Sequence, residues 1–136
     1  MFSHVTVGIS DFDRALAFYL PLMEVLGFRH RFNDASIPWA AWQPADGGRP
    51  LFIVMAPQNG EGMKPGNGCM AAFLAPDRET VRRAHSLAME HGGSDEGPPG
   101  LRPQYHDNYY GAYFRDPDGN KLAVACHTAP KAVGAG

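Results

Sequence analysis

The sequence predicts an α+β fold: two tandem βαβββ modules whose curved mixed sheets surround a shared pocket. Three observations carry that expectation. The stretch His4-Val5-Thr6-Val7-Gly8-Ile9-Ser10-Asp11 is echoed by Met70-Ala71-Ala72-Phe73-Leu74-Ala75-Pro76-Asp77, each a strand-like run ending in Ser-Asp or Pro-Asp. Each run is followed by a helical pattern that closes on glycine, Gly27 in the first copy and Gly92-Gly93 in the second. The offset between equivalent positions is constant at 66 residues, from His4 to Met70, Asp11 to Asp77 and Gly27 to Gly93. Equivalent positions carry different chemistry, so the contrast between His4 and Met70 is informative.

In the first copy Val5, Val7 and Ile9 alternate with His4, Thr6 and Gly8. A period of two means a strand, with His4 and Thr6 on one face and the valines on the other. Asp11 suits a helix N-cap, where its carboxylate accepts from an orphan backbone N–H. Leu16, Tyr19 and Met23 recur at helical spacing beside the row Ala15, Phe18 and Leu22. Pro21 falls inside that pattern and cannot donate to the helical ladder, which predicts a kink or break near Leu20. Gly27 is the stop. Residues 28–32 and 37–43 read as strands, Pro44-Ala45-Asp46-Gly47-Gly48 as a turn, and 51–55 as a buried strand. Residues 57–68, rich in Gly, Pro and Asn, form the expected linker between module one (1–56) and module two (69–127).

The second copy repeats the order. Residues 70–75 read as a strand, Asp77 as a cap, and Val81, Ala84, Leu87 and Ala88 as the apolar side of a helix. The Pro/Gly-rich stretch 94–104 is expected to be a long loop, and 109–115 and 122–126 to be strands joined by the turn Asp116-Pro117-Asp118-Gly119. Asp116 and Asp118 are read as turn residues that cap backbone amides, not as catalytic acids. Residues 128–136, small and polar, are expected to fray.

Composition narrows the function classes. The chain has 136 residues, 44% hydrophobic and 19% charged, with a net charge of −2, as expected of one globular domain. No basic stripe is present, which argues against a nucleic-acid partner. No apolar run approaches the roughly 18 residues of a membrane span. No signal-peptide pattern is visible, so the cytoplasm is the expected location. Cys69 and Cys126 are too few for a disulfide framework and are expected to stay reduced.

The richest polar and aromatic cluster is Tyr105-His106-Asp107-Asn108-Tyr109-Tyr110. Tyrosines with an apolar body and a polar tip suit the rim of a ligand pocket. His106 is a residue type that exchanges protons near neutral pH. The competing reading is that Tyr109 and Tyr110 are packing residues on alternate strand faces. His127 shares strand parity with Ala123 and Ala125, which makes it a conceivable replacement metal ligand. His85 and His91 read as surface residues, Met70 as core filler and Cys126 as a small buried hydrophobe. Trp39 and Trp42 have opposite parity, so at most one faces a pocket. His4 is either a ligand remnant or a strand-end histidine bonded to backbone.

The segments His4-Val5-Thr6-Val7 with Ser10-Asp11, Ala17-Phe18-Tyr19, Leu26-Gly27-Phe28, and the run from Tyr109 to Asn120 together resemble the vicinal oxygen chelate superfamily of glyoxalase I, bleomycin-resistance proteins and extradiol dioxygenases. The resemblance spans roughly residues 1–127. Arg102-Pro103-Gln104-Tyr105-His106 followed by Tyr109-Tyr110 is similar to a glyoxalase-like subgroup of unassigned substrate. The resemblance implies paired βαβββ modules, a concave pocket and a homodimer. It also implies metal ligands on the first and last strands of each module. His4 matches the first of these positions. The second-module equivalent is Met70, the last-strand position four residues after Gly119 is Ala123, and residues 51–55 contain no acid.

One imidazole cannot hold a catalytic zinc, which takes about three protein ligands, and a thioether suits Cu(I) better than a hard ion. The expectation is therefore a lost metal site, no cofactor, and a roomier apolar pocket. His4, Thr6, Met70, Ala72, Ala123 and Ala125 line it by parity, with His106, Tyr109 and Tyr110 at the rim. The function expected is that of a glyoxalase/bleomycin-resistance-like protein that binds a small organic molecule. The alternative is an enzyme. It would be a lyase or isomerase of the lactoylglutathione-lyase type, or a dioxygenase relative, using zinc, nickel, manganese or iron. It would otherwise work without metal through His106 and a tyrosine. An interaction module that uses the fold as a dimer scaffold ranks last. Whether the modules pair within one chain or exchange between two stays open at this point.

Overall fold

The computed structural model describes residues 1–130; residues 131–136, the greater part of the expected tail, lie outside the described residues. Module one comprises β1 (His4–Gly8), α1 (Phe12–Val25), β2 (Arg29–Asp34), β3 (Trp39–Gln43) and β4 (Leu51–Met55). Module two comprises β5 (Ala71–Leu74), α2 (Arg78–Glu90), β6 (Ser94–Leu101), β7 (Tyr110–Arg115) and β8 (Lys121–Cys126). Each forms a four-stranded sheet of the same topology, β1-β4-β3-β2 and β5-β8-β7-β6. The first and last strands of each module run parallel and the other pairs are antiparallel. The repeated βαβββ pattern read from the 66-residue offset is thus the architecture of the protein.

Both helices start where an aspartate can cap them. Asp11 accepts from the Arg14 amide at 3.0 Å and Asp77 from the Thr80 amide at 2.7 Å. Two expectations are corrected. Helix α1 runs unbroken through Pro21, because Leu22 and Met23, both fully buried, hold the chain in place after the missing ladder bond. Residues 94–101 form a strand rather than a loop. β6 is an edge strand whose pairing with β7 shifts register twice, and such an edge tolerates Pro98 and Pro99.

A single apolar core crosses both modules. Tyr19 of α1 packs on Trp42 and Phe52 of the first sheet, while Phe18 of the same helix meets Phe114 of β7 at 6.3 Å between ring centroids. Phe73 of β5 contacts both Phe28 and Phe52. The helix-bearing faces of the two sheets therefore share this core. Val5 and Val7 pack against it, whereas His4 and Thr6 are exposed on the opposite face of β1. On β5, Phe73 is buried while Ala72 and Leu74 are exposed. The outer face of the first sheet carries its own apolar cluster of Ala41, Leu51 and Ile53, flanked by Phe32, Trp39 and Met55. Trp42 points to the core and Trp39 to this outer cluster, as opposite parity requires.

The β7–β8 turn ties the modules together. Asp116, 3% exposed, accepts from the amides of Asp118 and Asn120, from the Asn120 side chain and from the Tyr19 hydroxyl of α1. Asn120 also donates to the Gly8 carbonyl at 2.8 Å, and Asp118 accepts from Ser10 and Arg14. The turn aspartates cap amides as expected, and in addition they dock the second module onto the first.

Burial raises the Asp116 carboxyl above its ordinary range by more than its donors lower it, and burial beside Asp116 raises Tyr19 strongly. A raised folded-state value means that the Asp116 contribution to stability is complete below its unfolded value and is lost as pH rises through the folded one. Tyr19→Phe removes a donor to this carboxylate. We expect it to cost about 2 kcal/mol in denaturant unfolding at neutral pH and to push the Asp116 carboxyl higher still in an NMR titration. A variant as stable as the parent, with an unmoved Asp116 titration, would contradict the tie.

Candidate functional site

The chemistry-bearing side chains gather on the outer face of the second sheet. Register places Arg115 opposite Lys121, Tyr113 opposite Ala123 and Gly111 opposite Ala125, with Ala72 of β5 on the far side of Ala123. Ala123 is 1% exposed and Ala125 5%. The segment between β6 and β7 is folded by backbone bonds from Arg102 to Tyr109, from Tyr105 to Arg102 and from Tyr109 to His106. It brings Tyr105, His106 and Tyr109 to one end of β8, where His127 emerges with the parity of Ala123 and Ala125.

The group is hydrogen-bonded in a directed way. The Asn108 amide donates to His106 Nδ1 at 3.1 Å, so that nitrogen is an acceptor. The proton of neutral His106 then sits on Nε2, which lies 2.8 Å from His127 Nδ1 and donates to it. His127 in turn keeps its proton on Nε2, free to be given elsewhere. The two rings meet edge to edge through their shared bond, 5.1 Å between centroids, and both stand nearly perpendicular to the Tyr109 ring. Tyr109 and Tyr113 hydroxyls are 2.9 Å apart, and the Tyr105 and Tyr109 rings lie 4.8 Å apart. Arg102 and Lys121 each lie 5.6 Å from the Tyr113 ring centroid. Burial, then the contact with Tyr109, raises the Tyr113 hydroxyl above its ordinary value, which keeps it protonated.

The remaining residues singled out from the sequence are placed elsewhere. Tyr110 does not join the rim. It points to the helix side of β7, beneath Arg78 and Arg82, and accepts a bond from Arg82 at 3.3 Å. Alternate residues of a strand face opposite ways, so Tyr109 and Tyr110 cannot both line one pocket. Thr6 and Met70 border a cleft of about 160 Å³ with Val5, Cys69 and Lys121. Met70 and Ala72 border a second cleft of about 490 Å³ with Phe2, Leu51 and Phe52. Neither cleft includes His4 or Ala123. The faces carrying them both turn away from the common core, and both clefts open where the strands of the first module meet β5 of the second. His4 is bonded to Ser3 through Nδ1 at 3.0 Å.

Residues absent from the sequence reading of the site are Arg102, Tyr113 and Lys121. Parity from Ala123 points to Lys121, but Tyr113 needs the β7–β8 register and Arg102 the fold of the intervening segment.

These positions do not fit a divalent ion. The positions that would supply donors hold Met70, the Ala123 methyl and, on β4, Leu51, Ile53 and Met55. Among the described residues no three His, Cys, Asp or Glu side chains come together.

The family profile described as Glyoxalase/Bleomycin resistance protein/Dioxygenase superfamily matches residues 1–124. The chain belongs to that superfamily. Among solved structures, it is similar to a glyoxalase/bleomycin resistance protein from Albidiferax ferrireducens T118, with 34% identity, a TM-score of 0.83, and coverage of 93% of this chain and 98% of that one. A glyoxalase-related enzyme from Fulvimarina pelagi shares 22% identity at a TM-score of 0.69, covering 93% of this chain and 87% of that one. TioX from Micromonospora sp. ML1 shares 19% at 0.62, covering 94% and 99%. The last two likenesses show the fold. No curated protein matches the chain. No helix among the described residues is long and apolar enough to cross a membrane.

A Cβ on Gly111 would lie 2.8 Å from Cε1 of Tyr109, so the tyrosine ring rests where only glycine fits. Gly111→Ala should push Tyr109 off the sheet, separate it from Tyr113, and lower stability by about 1–3 kcal/mol. Thermal unfolding together with aromatic NMR shifts of Tyr109 checks this. Parent-like stability with an unmoved ring would contradict it.

Proposed function

We propose that this superfamily member binds a small, largely planar organic molecule on the outer face of the β5–β8 sheet, without an ion at the positions the superfamily resemblance assigns to metal. The observation that carries the reading is a group of tyrosine and histidine rings, their polar tips hydrogen-bonded to one another, laid over the small residues Gly111, Ala123 and Ala125 of the sheet. An apolar floor with a few oriented polar groups is what small-molecule sites present. Met70 and Ala123 remove donors and add apolar surface. Thr6 adjoins this face within the same chain, across the cleft it borders with Met70 and Lys121, whereas His4 joins it only if a second copy brings the first sheet across.

The outer face of the first sheet supports that arrangement. Phe32, Trp39 and Met55 there flank buried Ala41, Leu51 and Ile53, away from the main core. We assign its partner as a second copy of this chain, giving a homodimer. The cysteines, exposed Cys69 and buried Cys126, are unpaired, in keeping with a cytoplasmic setting.

The test is elemental analysis of untagged protein beside a thermal-shift screen. The expected result is substoichiometric zinc, nickel, manganese and iron, no stabilisation by these ions, and stabilisation by planar organic molecules. Mass action makes that stabilisation about 2.7 kcal/mol at one hundred times Kd. One ion per chain, or stabilisation by metals alone, would overturn the reading. A second reading, a metal-independent lyase or isomerase of glyoxalase type, draws on the His106–His127 pair. Turnover of a 2-oxoaldehyde hemithioacetal that survives chelation and disappears in His106→Ala would replace the binding reading with that one.

A further inference from the structure

We infer that the outer face of the β5–β8 sheet selects ligands carrying an anionic oxygen, such as an aromatic carboxylate or phenolate, bound beside Tyr109 and Tyr113 with His127 as a third donor. This deepens the binding reading above and rests on it.

Tyr109 and Tyr113 share one hydrogen bond at 2.9 Å, and the Tyr105 hydroxyl is a further partner of Tyr113; three hydroxyl protons for two bonds leave one to give. The order Asn108 amide to His106 to His127 leaves His127 with an N–H and no acceptor for it among the described residues. Arg102 and Lys121 place two positive charges at the Tyr113 ring. Arg102 donates to the Pro98 carbonyl at 2.8 Å, and among the described residues neither cation is paired with a carboxylate. The one acid bonded to a basic residue on this face, Glu96, is engaged by Arg115. The face thus offers hydrogen-bond donors beside two cations that no carboxylate pairs among the described residues. An oxyanion attached to a flat apolar ring is the complement. Its charge takes the donors and its ring takes the tyrosine faces that lie over the alanines. The raised Tyr113 hydroxyl keeps that donor protonated at neutral pH.

The test uses three probes of one shape: 2-naphthoate, 2-naphthamide and 2-naphthalenemethanol, titrated calorimetrically into the full chain. Naphthoate should bind saturably and roughly tenfold or more tighter than either neutral probe. The Arg102→Gln/Lys121→Gln double variant should lose most of that advantage, and Tyr113→Phe a part of it. Arg83→Gln, which removes the same charge from the exposed side of α2, should leave it unchanged. Tyr113→Phe removes a single hydroxyl, so it remains informative if the double variant fails to fold. Equal affinity for all three probes would overturn the anion assignment while leaving the small-molecule reading intact. Absence of naphthoate binding, or loss of the advantage in Arg83→Gln as large as in the double variant, would overturn it as well. Absence of all three together with a null thermal-shift screen would bring down the parent reading too.

Discussion

The Asp116 carboxylate is the constraint on which the rest depends. It is a buried acid in an apolar core, satisfied from two directions: its own turn supplies backbone amides, and α1 of the other module supplies the Tyr19 hydroxyl. A buried charge with partners on only one side would be costly to keep. The two modules must therefore dock with the β7–β8 turn against α1, and the Asn120 bond to Gly8 and the Asp118 contacts with Ser10 and Arg14 follow from the same placement. That docking turns the helix-bearing faces inward and leaves both outer faces free. Function can then develop on the outer faces without disturbing the core.

The two outer faces have diverged. The first is apolar, with Phe32, Trp39 and Met55 around Ala41, Leu51 and Ile53. The second is a donor-rich aromatic surface in which the folded segment before β7 supplies Tyr105, His106 and Tyr109, and the sheet supplies Tyr113 and Lys121. Positions that the superfamily resemblance assigns to metal ligands hold a thioether and a methyl group. The histidines that remain form a chain with a defined direction, and the tyrosine hydroxyls share a bond that either can donate. In the proposed reading it is these prearranged protons that a ligand's charge and shape would meet.

Much of this was legible from residue order alone, for identifiable reasons. The module repeat is visible because alternation at Val5-Val7-Ile9, the Asp11 and Asp77 caps and the closing glycines recur at one offset. β6 was hidden because Pro98-Pro99 and two glycines mimic loop chemistry, and only the edge position makes them tolerable. Helix α1 continues past Pro21 because burial of Leu22 and Met23 outweighs one lost bond, a tertiary effect that local propensity does not contain. His106 and Tyr109 stand out in sequence as a polar aromatic cluster. Parity alone makes Tyr109 and Tyr110 rivals, and the structure places Tyr110 under the α2 arginines. The encounter of His106 with His127, 21 positions apart, depends on how the intervening segment folds back. The same is true of the faces carrying His4 and Ala123: strand parity gives the face but not the direction in which the docked module presents it.

A crystal structure of the protein with 2-naphthoate tests the central claim most directly. The account predicts the ring on the outer face of the β5–β8 sheet against the tyrosine rings, its carboxylate within hydrogen-bonding distance of the Tyr109 or Tyr113 hydroxyl or His127 Nε2. A naphthoate seated in the cleft between β1 and β5, or beside α2, with the tyrosine and histidine protons untouched, would contradict it.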